Sequence, residues 1–241
     1  MEQSVDTIPT KETEPRTLFD AFLVHGYWLS QKGEGGIVRP SLRSHLEARA
    51  ASIAYHKVGG DTKIILTTGH IWGSDYPSVA DVMKEELVRK YKVPKEDIFV
   101  KTTFINKEGK EQEVKTTDEE IEAFLQFAKE NGWTKLADIA AKTHYTTIPL
   151  LYKRRGQEIK MDAAEDILKN DDDRIKSLVN RFGASKYEWS FRLYEGVKRL
   201  VIMLEPDYEL LGKSAGKRRS KKNPLGLPIL STIVPVDKYK T

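Results

Sequence analysis

Short apolar runs alternate with helix-like segments through the first two thirds of the chain, and this alternation restricts the fold more than any other feature. Segments with apolar residues three and four positions apart separate the runs, which indicates amphipathic helices between strands. Such an order favours a mainly parallel sheet with helices on both faces, so we predict an α/β fold. The four predicted strands lie in DAFLVHGY, KIILTTG, DIFVKT and LADIAAKTH.

Hydroxyl residues mark the starts of the predicted helices. Ser41 is placed to cap a helix that ends near Val58, and Ser78 is placed to open the next. Thr117 and Glu120 have the spacing of a capping box at the start of a third helix. That spacing explains both residues without a function, and the alternative is that they orient a ligand hydroxyl or amine.

The periodic pattern divides the chain into three parts. Residues 1–17 lack periodicity and contain two prolines, so we predict a disordered lead. Residues 18–156 carry the alternating pattern and form the predicted α/β domain. Residues 157–241 are predicted to be a helical extension with a basic, proline-containing tail. Its predicted helices are MDAAEDILKN, DDDRIKSLVNRFG and a longer one over residues 185 to about 204.

Composition excludes several kinds of site. The chain has no cysteine, which removes thiol catalysis, disulfides and cysteine-ligated metals. Its first residues are polar and acidic, unlike a secretory signal, and no apolar run is long enough to span a bilayer. We therefore expect a cytoplasmic protein with no transmembrane segment.

Several polar residues and glycines follow the predicted strands. In open parallel sheets, ligands bind outside the carboxyl ends of the strands, near a switch in strand order. Proton transfer near neutral pH is the chemistry that histidine suits best, so His144 is the candidate catalytic residue. The alternative is a strand-end histidine bonded only to backbone. The edge residues are His25, Gly26, Thr68, Gly69, His70, Thr143 and His144.

The same edge raises the questions of a metal and of a bound anion. His25, His70 and His144 have no acidic or histidine ligand at helical spacing, so no metal site is predicted. Gly26 and Gly69 permit close backbone approach, and helices that begin nearby could direct N–H groups at a phosphate. Tight turns explain the glycines equally well. Neither GxGxxG nor GxxxxGK[ST] is present.

Taken in order, the segments of residues 18 to 156 resemble the YdcF/SanA/ElyC-like family, a Rossmann-like domain of unknown function. The resemblance implies a Rossmann-like fold, binding of S-adenosylmethionine or a nucleotide, and a link to cell-envelope maintenance. This chain departs from the family at Val79, Glu120 and Thr147, where glutamate, asparagine and arginine are usual. The segments that carry the resemblance are DAFLVHGY, LEARAASIAYHKVGGDTKIILTTG, the helix start at Ser78, KVPKEDIFVK, TTDEEI and ADIAAKTHYTTIPLLYKRRG.

Arg49 matches the family's helix arginine, which implies contact with an anionic ligand; an exposed helix arginine is the alternative. Two hypotheses on function follow. The first is a small-molecule-binding protein whose ligand has a nucleoside or phosphate moiety. The second is a non-catalytic scaffold that contacts nucleic acid or a protein assembly through the basic run at residues 213–222, which could equally be a solvated charge run or face anionic lipid. The cations assigned to that contact are Lys217, Arg218, Arg219, Lys221 and Lys222.

Overall fold

The computed structural model describes residues 19–31 and 37–183, together with residues 192, 193, 195, 196, 199, 200 and 203. Short 3₁₀ turns at Lys95–Asp97, Lys142–Thr146 and Leu168–Asn170 join some of its elements. The strands are β1 (Ala21–Val24), β2 (Leu29–Gln31), β3 (Val38–Pro40), β4 (Lys63–Leu66), β5 (Ile98–Val100), β6 (Thr103–Ile105), β7 (Glu111–Glu113), β8 (Leu136–Ala140) and β9 (Lys160–Ala163). The helices are α1 (Leu42–Lys57), α2 (Val79–Arg89), α3 (Thr117–Glu130), α4 (Ile148–Arg154), α5 (Ala164–Ile167) and α6 (Asp173–Gly183).

Five parallel strands form the central sheet in the order β5-β4-β1-β8-β9, which confirms the predicted α/β, Rossmann-like fold. Side chains alternate across the strands, so each face of the sheet has its own core. Phe22 and Val24 pack in the core that includes α1 and α2, whereas Leu23 packs with residues of α3 and α4. The strands β2 and β3 form one antiparallel hairpin, and β6 and β7 form another.

The helix starts follow their capping residues, with one correction. Ser41 and Ser78 cap α1 and α2 as predicted, each accepting a backbone N–H with its hydroxyl. The capping box of α3 consists of Thr116 and Glu119. The predicted box of Thr117 and Glu120 is therefore wrong by one residue. Glu120 is left free of the cap and is 5% exposed.

The fifth strand is a second correction. MDAAEDILKN was predicted to be one short helix, but Lys160–Ala163 pairs in parallel with β8, and helix α5 begins only at Ala164. The sheet therefore continues beyond residue 156, where the sequence placed the end of the α/β domain. DDDRIKSLVNRFG does form a helix, α6.

Three predicted parts of the chain fall wholly or mostly outside the described residues. They are the lead over residues 1–17, most of the helix over residues 185 to about 204, and the basic run at residues 213–222. Within the ranges given above, no helix has the length and apolar character needed to cross a bilayer.

Candidate functional site

A buried histidine joins two carboxylates at the carboxyl end of β1. His25 follows the last residue of that strand and is 2% exposed. Its Nδ1 lies 2.7 Å from Glu120 Oε2, and its Nε2 lies 3.0 Å from Asp138 Oδ2. Burial opposes a charge on the ring, but the attraction of Asp138 and then of Glu120 raises the pKa of His25 well above its ordinary value. His25 is therefore an imidazolium that donates from both nitrogens.

Hydrogen bonds extend this cluster to the neighbouring strands and helices. The Thr68 hydroxyl, just after β4, donates to Glu120 Oε1 and accepts the Gly26 N–H at 2.9 Å. The Tyr152 hydroxyl of α4 donates to Asp138 Oδ2 at 3.0 Å. Burial raises the pKa of Glu120, but the charge of His25 and the hydrogen bonds from His25 and Thr68 outweigh it and hold the pKa below its usual range. The ends of β1, β4 and β8 are thus fixed to one another by polar contacts.

A second histidine lies beside the first. His144 is 3% exposed, and its ring centroid is 6.4 Å from that of His25. The Tyr27 hydroxyl hydrogen-bonds to His144 Nε2. Burial raises the pKa of Tyr27 well above its ordinary value, so the phenol stays neutral and is able to donate this bond. The other ring nitrogen of His144, Nδ1, faces Glu195 Oε2 at 3.5 Å.

Arg43, in the first turn of α1, brings a guanidinium to the same edge. It is 7% exposed, donates to the Thr143 hydroxyl, and lies 3.9 Å from the centroid of the Tyr27 ring. The sequence had assigned this role to Arg49. That residue instead forms a bidentate pair with Asp171, at 2.8 and 2.9 Å, which ties α1 to the segment before α6. The structure therefore places the Arg49 side chain against Asp171 rather than in this cluster.

Glu47 lies one helical turn after Arg43 and is 1% exposed. Its Oε1 accepts the backbone N–H of Ala141, the residue after β8, at 3.2 Å. Its Oε2 has no hydrogen-bond partner within the part of the chain that the structure describes. Burial raises the pKa of Glu47 to about 8, although the charges of Arg43 and His25 act against it. At neutral pH, Glu47 is therefore a protonated carboxyl group.

The glycines of the predicted anion cradle pack against the chain itself. A Cβ on Gly26 would lie 2.7 Å from Thr68 Oγ1 and from Val79 Cγ1, and one on Gly69 would lie 2.5 Å from the carbonyl oxygen of Val114. The first N–H groups of α2 donate to the carbonyls of Thr68 and Gly69. These glycines thus allow parts of the protein itself to pack closely against one another.

The remaining predicted residues lie around this cluster or away from it. His70 pairs with Glu113 of β7 at 2.7 Å, so its contact is with the hairpin rather than with the other two histidines. Thr117 is the first residue of α3 and is half-buried. Across the described ranges, no group of three or more histidine, aspartate or glutamate side chains is placed to hold a metal ion.

The structure therefore brings some predicted residues together and adds others. An acidic residue inside an apolar strand, as in LADIA, was the one available signal for Asp138, because charged side chains are seldom fully buried unless paired. The residues brought together as predicted are His25, Thr68, Glu120, Thr143 and His144. The residues that the sequence analysis missed are Tyr27, Arg43, Glu47, Asp138 and Glu195.

Strand order gives this cluster its location in the fold. The chain runs outward from β1 through β4 to β5, then crosses to β8 on the opposite side of β1. The switch in strand order therefore lies between β1 and β8, where ligands bind in open α/β sheets. His25 follows one of these strands and Asp138 lies on the other. No protein-family model, no curated protein and no solved structure matches this chain.

Proposed function

We propose that this chain binds a small molecule at the carboxyl edge of its sheet, through a phosphate or a similar anionic group of a nucleoside-type ligand. The observation that carries the proposal is the guanidinium of Arg43, 7% exposed at the switch point between β1 and β8. Arg43 Nε also lies 3.8 Å from Glu47 Oε1, and both side chains are at the edge where ligands bind in open parallel sheets. Guanidinium groups bind phosphates and carboxylates by paired hydrogen bonds. Nucleotides and S-adenosylmethionine are accordingly the first probes.

Two groups beside Arg43 support proton transfer to or from a bound ligand. Glu47 carries a proton at neutral pH, with a pKa of about 8. His144 is held by Tyr27 at one nitrogen, which fixes the orientation of its ring. A general acid or base works best when its pKa lies near the working pH, and such groups concentrate at functional sites. The reaction, if the ligand is transformed, would therefore be one that involves proton transfer.

The cluster of His25, Glu120 and Asp138 has a different part in this proposal. The imidazolium of His25 offsets part of the charge of the two carboxylates, and its hydrogen bonds connect α3 to β8 beside His144. Side chains locked in this way keep a binding site in one geometry. We assign these three residues to positioning rather than to ligand contact.

Isothermal calorimetry on the full chain tests the proposal, after thermal-shift screening with nucleotides, inorganic phosphate and S-adenosylmethionine. Arg43→Gln should weaken binding of the stabilising probe by about 1.5–3 kcal/mol, the value of a hydrogen bond to a charged group, which is roughly 10–100-fold in Kd. Arg49→Gln is the matched control on the same helix. It should leave Kd within about twofold, because its partner Asp171 lies away from the edge.

Two results would contradict the proposal. One is that no probe stabilises the wild type. The other is that Arg43→Gln and Arg49→Gln weaken binding equally, which would show that the edge of the sheet has no special part in recognition.

A further inference from the structure

A carboxylate from the C-terminal part of the chain reaches the candidate site. Of the seven described residues between 192 and 203, Glu195 is 2% exposed and the other six are exposed. Its Oε2 accepts a hydrogen bond from the Thr147 hydroxyl and lies 3.5 Å from His144 Nδ1. Glu195 therefore places a carboxyl group at a site formed by the residues after β8.

The groups that hold this carboxylate suit oxyanions in general. Thr147 is fully buried and His144 is 3% exposed, so the Thr147 hydroxyl and the His144 ring both lie away from bulk water, where hydrogen bonds to charged oxygens are strongest. Tyr27 binds the opposite nitrogen of the His144 ring, so Nδ1 is directed at the carboxylate. A phosphate oxygen placed where Glu195 Oε2 lies would accept from the Thr147 hydroxyl and lie 3.5 Å from His144 Nδ1.

We infer that His144 and Thr147 form an oxyanion subsite, and that the Glu195 carboxylate occupies it as an intramolecular substitute for the phosphate or carboxylate of the ligand. This inference rests on the proposed function, because it names two groups besides Arg43 that would contact the anionic group of that ligand. Glu195 lies beyond the strands of the sheet, so its departure requires no change in strand pairing. Ligand and Glu195 would compete for one position.

Competition of this kind lowers the measured affinity by the fraction of molecules in which the subsite is open. A like charge facing an anionic ligand adds to the penalty. Removing Glu195 should therefore tighten the binding of an oxyanion, whereas removing a group that only supports the fold would not.

Calorimetric titration of the full chain with inorganic phosphate tests the inference. Glu195→Ala should lower Kd for phosphate at least tenfold relative to the wild type, and His144 ring signals in NMR spectra should shift on binding. Adding Thr147→Val to Glu195→Ala should abolish the gain. Glu113→Ala is the matched control, because it removes the partner of another histidine, His70, in the hairpin. Its Kd should match that of the wild type.

Equal Kd values for the wild type and Glu195→Ala would overturn the subsite, and so would a gain that persists with Thr147→Val. Glu195→Gln removes the charge and keeps the shape, so it gives the same test if the alanine variant does not fold. If a probe binds the wild type in an Arg43-dependent way while the Glu195 variants bind phosphate no better, only the subsite fails. If no probe binds any variant, the proposed function fails as well.

Discussion

Replacing Glu47 with glutamine should make the protein progressively more stable than the wild type as the pH rises from 5 to 8.5. Burial raises the pKa of this carboxyl from its ordinary value of 4.5 to about 8 in the folded protein. Between these two values the folded protein keeps the proton and the unfolded chain releases it. Raising the pH through this window therefore favours unfolding of the wild type. Glutamine cannot ionise, so the variant lacks this source of instability.

The size of the effect follows from the two pKa values. Each pKa unit corresponds to about 1.4 kcal/mol, so the full displacement corresponds to a free energy of unfolding on the order of 5 kcal/mol. Glutamine keeps an oxygen that can accept the N–H of Ala141, which limits other changes. The difference in stability between variant and wild type should thus grow by several kcal/mol across the window and level off above pH 8.

Urea unfolding followed by tryptophan fluorescence at each pH measures this difference. Asp20→Asn is a suitable control, because the N–H groups of Thr134 and Lys135 hold the pKa of Asp20 below its usual range. Asp20 is ionised in both states above pH 5.5, so its replacement should shift stability by a constant amount. Parallel curves for Glu47→Gln and the wild type between pH 5 and 8.5 would refute the assignment of a buried, protonated Glu47.

Two further predictions concern α3 and the His25 cluster. Thr116→Ala should lower the free energy of unfolding by about 1 kcal/mol through loss of the helix cap. Thr117→Ala should change it by less than about 0.5 kcal/mol. If urea unfolding gave the larger loss for Thr117→Ala, the capping box would be that of Thr117 and Glu120. His25→Ala leaves the buried carboxylates of Glu120 and Asp138 without a countercharge and should cost about 3–5 kcal/mol at pH 7. A cost under about 1 kcal/mol in the same assay would show that the imidazolium does not hold this cluster together.

The sequence predicted those strands whose own residues form an apolar run. The four predicted runs are apolar; β1, β4 and β8 are largely buried, whereas two of the three residues of β5 are half-buried. The fifth strand, Lys160–Ala163, has two charged residues among four and lies at the edge of the sheet. Its pairing with β8 is a tertiary contact, and no local pattern in KMDA predicts it.

The capping error shows how one residue of register changes a functional assignment. TTDEE contains two threonines and two glutamates at the same separation, so both boxes fit the sequence equally well. Each residue turns an α-helix by about 100°. With the cap at Thr116, Glu120 joins the buried side of α3 beside Ile121 and Phe124 and meets His25. With the cap at Thr117, it would have remained at the helix end.

The arginine at the edge of the sheet is Arg43 rather than the predicted Arg49, for a geometric reason that the sequence already contained. A helix that follows a parallel strand starts near the carboxyl edge of the sheet and runs back toward the opposite edge, so only its first turns can reach a ligand there. Ser41, the cap of α1, marks that start. Arg43 lies within the first turn, whereas Arg49 is six residues later, or about 9 Å further along the axis. In this chain, position relative to the helix cap therefore identifies the arginine at the edge of the sheet better than resemblance to a motif arginine does.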